Sequence, residues 1–156
     1  MFRTILTAAA LLLAAPAFAH DGPHAMVEVA HGFARATLPG APVGGAYLDL
    51  INRSDSDDRL TSVESAAAGR VDLHRMEMSG DTMRMAPMRD GLPLPAGETV
   101  SLSPSGMHLM LQDLAAPLRE GETLTLELHF EHAAPVTVDL PILAPNADEA
   151  PMHHMH

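Results

Sequence analysis

Thr123-Leu124-Thr125-Leu126-Glu127-Leu128-His129-Phe130 alternates polar and apolar residues without a break. In an extended chain Leu124, Leu126, Leu128 and Phe130 fall on one side, and Thr125, Glu127 and His129 on the other. Strict period two is the mark of a half-buried β-strand. Val136, Val138 and Leu140 repeat it a few residues later. The same rhythm recurs upstream in short segments separated by Gly, Pro, Asn, Asp and Ser. It predicts strands near 27–36, 43–52, 60–65, 70–78, 82–88, 98–103, 107–113, 123–131 and 135–142. Ser79-Gly80-Asp81 reads as a tight turn, making 70–88 a β-hairpin. Pro93, Pro95 and Gly97 break the chain before the next strand, and Pro104-Ser105-Gly106 forms another turn. No stretch has a capped helical period and no repeat is present. Many short antiparallel strands in one chain of this size predict a single all-β domain, a Greek-key sandwich or barrel.

The flanks of this region differ from it. Arg3, the apolar run Ile5–Ala15 and the small-x-small triplet Ala17-Phe18-Ala19 form a signal peptide over 1–19. The apolar run is shorter than the roughly 20 residues of a spanning helix. Cleavage after Ala19 removes 19 of 156 residues and leaves 137, enough to bury a core without staples. Residues 20–26 read as a flexible lead and 27–143 as the folded domain. Residues 144–156 read as a linker with a Met/His-rich tail. The expectation is an exported, periplasmic protein that does not insert in a membrane and acts as a monomer.

The sequence has no Cys, which fits an exported protein without disulfides. It also excludes thiol–disulfide enzymes and blue-copper sites with a Cys ligand. There is no Lys, and without Arg3 eight Arg face twenty acids, a formal charge of −12. That balance argues against nucleic acid as a partner and against docking on anionic lipid.

Against these absences stand eleven Met and ten His, and they cluster. One group runs His74-Arg75-Met76-Glu77-Met78, then Met83, Met85 and Met88. A second is Met107-His108-Leu109-Met110. The chain ends Met152-His153-His154-Met155-His156. Thioether and imidazole donors favour copper, Cu(I) above all, over Mg, Ca or Mn. Alternation places His108 and Met110 on one strand face, with Met107, Leu109 and Leu111 on the other. His74, Met76 and Met78 share a face, as do Met83 and Met85. A hairpin turning at Gly80 brings Met85 toward His74. Two His and two Met from three strands then form a four-donor soft site.

This arrangement resembles the periplasmic copper chaperones of the PCu(A)C type. The resemblance rests on Leu73-His74-Arg75-Met76, Met83-Arg84-Met85, Leu94-Pro95-Ala96-Gly97 and Gly106-Met107-His108-Leu109-Met110. Ten residues separate His74 from Met85, and twenty-two separate Met85 from His108, as in that family's His, Met, His-x-Met signature. Ala36–Gly40, Gly45–Leu48 and Pro117–Glu122 match as well, so the resemblance covers roughly 27–142. It implies a cupredoxin-like β-sandwich binding Cu(I) through His74, Met85, His108 and Met110. It also implies delivery of copper toward a respiratory oxidase subunit with a CuA-type centre, or its assembly factors. By the motif Met76 is a neighbour, not a ligand.

The remaining groups are read as follows. Met152, His153, His154, Met155 and His156 form an accessory site for Cu(II) or Cu(I). His20, with His24, offers an amine–imidazole chelate of the kind a copper redox enzyme uses. The leading expectation is nevertheless a carrier and not an enzyme. Copper buffering or resistance without a dedicated recipient is the alternative. Met107 is read as core; Met78, Met83 and Met88 as packing or site wall. His31, His129 and His132 are read as solvated. Asp55-Ser56-Asp57-Asp58 is read as a solvated loop, since it lacks EF-hand spacing.

Overall fold

A computed structural model describes residues 26–150. Ten strands follow in order: β1 Val27–Arg35, β2 Val43–Asn52, β3 Asp58–Glu64, β4 Ala68–Ser79, β5 Thr82–Pro87, β6 Leu92–Leu94, β7 Thr99–Leu102, β8 His108–Leu114, β9 Thr123–Phe130 and β10 Val136–Leu143. Among the described residues there is no helix, and so none long and apolar enough to cross a membrane. The all-β expectation is met, and nine of the strands are those the alternation predicts.

Seven strands close on themselves in the order β4-β8-β2-β1-β10-β9-β3, and β3 returns to β4 through Val63 opposite Val71. All of these ladders are antiparallel except β1–β10, which is parallel at Ala34–Ile142 and Arg35–Leu143. The architecture is therefore a closed mixed barrel, and closure removes most exposed edges. One edge of β2 serves two partners in succession: residues 43–46 pair with β8 and 48–51 with β7. β5 extends the sheet beyond β4, and β6 extends it beyond β3.

The barrel interior is almost wholly aliphatic. Leu48, Leu50, Leu60, Leu94, Leu109, Leu111, Leu124, Leu126, Leu128 and Leu140 are all essentially inaccessible. Burying each such side chain contributes about 1.5–3 kcal/mol. In β9 the period-two pattern holds as read, with Leu124, Leu126, Leu128 and Phe130 in the core.

Two expectations need correction. β6 was not expected, because Pro93 and Pro95 read as breakers. Pro93 is tolerated because β6 ends the sheet path, paired only with β3, where a missing N–H breaks no ladder. The acidic run is also not simply solvated. Asp58 is buried and accepts hydrogen bonds from the backbone N–H of Arg59, His132 and Ala133. Asp57 accepts one from Ala96. These carboxylates bind the start of β3 to the β9–β10 connection and to the loop after β6. Nearby, the buried Asn52 donates to the carbonyls of Leu94 and Ser56 and accepts from Ser54, fixing the end of β2.

The signal segment 1–19, most of the lead (20–25) and the tail residues Met152–His156 lie outside the described residues.

Candidate metal centre

The site is built where β5, β4, β8 and β2 lie side by side. Leu109 and Leu111 of β8 enter the core, so period two turns His108 and Met110 outward. In the β4–β8 ladder His74 stands directly opposite His108, and Asp72 opposite Met110. In the β4–β5 ladder Met76 stands opposite Met85 and Met78 opposite Met83. The turn between them is only Gly80-Asp81. Gly80 takes φ = 64°, a left-handed conformation that suits a two-residue hairpin. Directly opposed residues share a sheet face, so His74, Met76, Met85, His108 and Met110 all project to one side.

The two imidazole centroids are 5.9 Å apart. Met76, Met85, His108 and Met110 line a hollow of about 410 Å³ that is closed on the β2 side by Tyr47 and Gly45. His74 stands at its margin, not in its lining. Three of the four expected donors thus meet at one hollow, and the fourth pairs with His108 across the ladder. Met76, expected only as a neighbour, lines the hollow opposite Met85.

His108 is 7% exposed. Its Nδ1 lies 3.2 Å from the Gly106 carbonyl. A carbonyl only accepts, so the Nδ1 N–H donates to it, and Nε2 is the ring nitrogen left for a metal. The Nδ1 of His74 is buried without any hydrogen-bond partner. Burial, then the nearby His108, hold the His74 imidazole below its ordinary pKa, with Asp72 opposing. His74 is accordingly neutral at pH 7, with a buried ring nitrogen that lacks a partner. Asp72, the one acid in these two ladder rows, is held by Arg70 at 2.8 Å and Gln112 at 3.3 Å. The donors left unengaged on this face are imidazole and thioether groups, not carboxylates.

The chain's relationships agree with this geometry. Residues 27–142 match the family model for LpqE-like lipoproteins. The chain belongs to the LpqE-like family. A protein of Leifsonia xyli subsp. xyli (strain CTCB07), named as a lipoprotein, is 28% identical to this LpqE-like chain over 116 residues, covering 74% of this chain and 69% of its own. The copper-bound PCuAC domain from PmoF2 is 29% identical with a TM-score of 0.64, over 77% of this chain and 94% of that domain. Apo-DR1885 from Deinococcus radiodurans is 27% identical with a TM-score of 0.59, over 92% and 97% of the two chains. The cupredoxin-like fold expected of the LpqE-like chain is the fold of these PCuAC domains.

Other expected residues fall as follows. Met88 and Met107 pack against the core, as read. Met78 and Met83 do not: they are 65% and 53% exposed and face each other on the hairpin arm. Period two identifies the face a residue takes but not whether anything covers it. His31 is exposed and pairs with Asp49. His132 is exposed as well. His129 is half-buried and only partly solvated; its Nε2 is buried between Glu127 at 3.0 Å and Glu64 at 3.4 Å on the β3–β9 face. His20, His24 and the tail donors Met152, His153, His154, Met155 and His156 lie outside the described residues.

Sequence reasoning did not foresee the wall of the hollow. Tyr47 lies tilted between Phe33 (centroids 5.1 Å apart) and His108 (6.4 Å), and the Arg35 guanidinium covers its ring at 5.5 Å. A Cβ on Gly45 would lie 2.6 Å from the Tyr47 hydroxyl oxygen, so glycine there makes room for the ring. The available signal was the run Gly44-Gly45-Ala46-Tyr47, which has two small residues before an aromatic in a strand.

Proposed function

We propose that this protein binds one Cu(I) ion through His74, Met85, His108 and Met110 and carries it to a copper-accepting partner. The observation that carries this reading is the direct opposition of His74 and His108, with Met85 and Met110 on the same face. Four neutral donors leave the ion's charge uncompensated, which favours +1 over +2, and thioether sulfur adds to that preference. The unpartnered Nδ1 of His74 fits a donor set awaiting an ion. Copper in the related PmoF2 domain and Cu(I) in DR1885, the latter 25% identical with a TM-score of 0.59, support the same choice.

The position of the site suits a carrier. Met85 is 51% exposed, so one ligand can be exchanged from outside while the buried His108 holds on. Thioether has no deprotonated, anionic form and binds less tightly than thiolate, so the cargo is releasable. The recipient is a respiratory oxidase subunit with a CuA-type centre, or one of its assembly factors, reached after export to the periplasm. The signal segment 1–19 and the lipoprotein name of the Leifsonia relative support export. The tail Met152–His156 supplies an accessory site for Cu(II) or Cu(I).

X-ray absorption on the Cu(I)-loaded protein tests the donor set: two sulfur and two nitrogen scatterers are expected. Retention of tight Cu(I) binding by a His108→Ala, Met110→Ala double variant would overturn it. Delivery is separated from buffering by deleting the gene under copper limitation. Delivery predicts lost oxidase activity, whereas buffering predicts only lost copper tolerance.

A further inference from the structure

The β4–β5 hairpin carries more methionine than the hollow uses. The β4–β8 ladder ends at His74 opposite His108, and beyond that point β4 pairs with β5 alone. Residues 75–86 therefore form a two-stranded arm projecting past the barrel. Between the His pair and the turn, four positions of the arm face the His74 side: 76, 78, 83 and 85. All four are Met, in two directly opposed pairs, Met76–Met85 and Met78–Met83. The other face carries Arg75, Glu77 and Arg84, with Arg75 and Glu77 in an ion pair. The outer Met pair is largely exposed and, among the described residues, is not part of the core. An isolated two-stranded ribbon gains little from exposed apolar side chains, so core packing does not explain why these positions are methionine.

We propose that Met78 and Met83 form a second, outlying thioether station for Cu(I). From it the ion passes to the Met76–Met85 pair and so into the His74–His108 site, or leaves by the reverse route. The proposal rests on the Cu(I) reading above. Opposed residues on antiparallel strands hold their Cβ atoms about 4.5–5.5 Å apart, and methionine's long flexible chain lets two sulfurs converge on one ion. Two neutral soft donors select Cu(I) or Ag(I), and not Zn(II) or Cu(II). The transfer is ligand exchange without redox: a new Cu–S bond forms from Met85 or Met76 as the bond to Met83 or Met78 breaks. The ion keeps its single charge and no proton moves. A two-donor station holds copper more weakly than the four-donor site, so net flow is inward until that site is full.

The test is an anaerobic titration of the full chain with Ag(I), followed by NMR of 13C-labelled Met methyls assigned by single Met→Leu variants. The first equivalent is expected to shift Met85 and Met110 together with the His74 and His108 rings. Further Ag(I) is expected to shift Met78 and Met83 together. In a Met78→Leu, Met83→Leu variant the first equivalent binds unchanged, while Cu(I) transfer to a competing chelator slows several-fold. Excess Ag(I) that moves only Met152 and Met155, or a double variant that transfers copper at the wild-type rate, would overturn the station and leave the arm an apolar contact surface. A first equivalent that bypasses the His pair would instead overturn the four-donor site, while the Met78 and Met83 shifts still decide the station.

Discussion

His74 and His108 occupy directly opposed positions on neighbouring antiparallel strands, with ring centroids 5.9 Å apart. One hydrogen bond between ring and backbone, to Gly106, orients His108, whereas His74 is oriented by burial alone. Loss of an outer partner of a metal ligand typically costs about 10–100-fold in affinity. Removing a ligand should cost more. His108→Ala and His74→Ala are each expected to weaken Cu(I) binding by more than that range, measured by competition with a Cu(I) chelator. Met76→Leu is expected to change it little. A Met76 effect equal to that of Met85→Leu would make Met76 a ligand in place of one of the four.

Acidification acts on the apo protein through His74. Its folded pKa lies below the ordinary 6.5, first because of burial and then because of His108. Around and below pH 6.5 the unfolded chain therefore binds more protons than the folded one, so stability falls as pH drops. The urea midpoint of the apo protein is expected to fall from pH 7.5 to pH 5.5, and His74→Leu should flatten that slope. Copper affinity is also expected to fall on acidification, because protons compete with the ion for imidazole nitrogen. Chelator competition at a series of pH values reads this second effect separately.

Gly45 and Tyr47 give a prediction about the wall of the hollow. A methyl group on residue 45 would press on the Tyr47 hydroxyl, and overpacking of this kind costs about 1–3 kcal/mol. Tyr47 also touches the ring environment of His108. Gly45→Ala is therefore expected to lower the thermal midpoint and weaken Cu(I) binding together. Adding Tyr47→Ala should relieve the clash and recover part of the stability but not the affinity. Recovery of both would show that the Tyr47 ring contributes nothing to the site.

The parts of this molecule that were legible in the sequence are those carried by period two. Leu124, Leu126, Leu128 and Phe130 declare their face through their own neighbours, and so do His108 and Met110. What stayed hidden depends on which strand lies alongside. Pro93 looks like a breaker until β6 is seen at the end of the sheet. Tyr47 becomes a wall only through the register of β2 against β8. Met78 and Met83 show the right face but not that it is bare. Composition around Asp55–Asp58 suggests water, because it cannot reveal that backbone N–H groups from residues 132 and 133 reach Asp58.

Asp58 supports the last prediction. Burial pushes its carboxyl up, but backbone N–H donors from Arg59, His132 and Ala133 outweigh that and hold it below its ordinary 3.8. A lowered carboxyl contributes stability that is fully present above pH 3.8 and lost as pH falls through the folded value. Hydrogen bonds to a charged group contribute about 1.5–3 kcal/mol each, and Asp58→Ala strands three donors. It is expected to destabilise the protein by about 3 kcal/mol at pH 7. Asp58→Asn keeps an acceptor oxygen but not the charge, and should lose less. Urea unfolding at pH 7 and again near pH 3 provides the check, since the difference between wild type and Asp58→Asn should shrink as the wild-type carboxyl protonates. A difference that is constant across that range would mean the carboxylate's charge plays no part and that shape alone holds the β9–β10 connection onto β3.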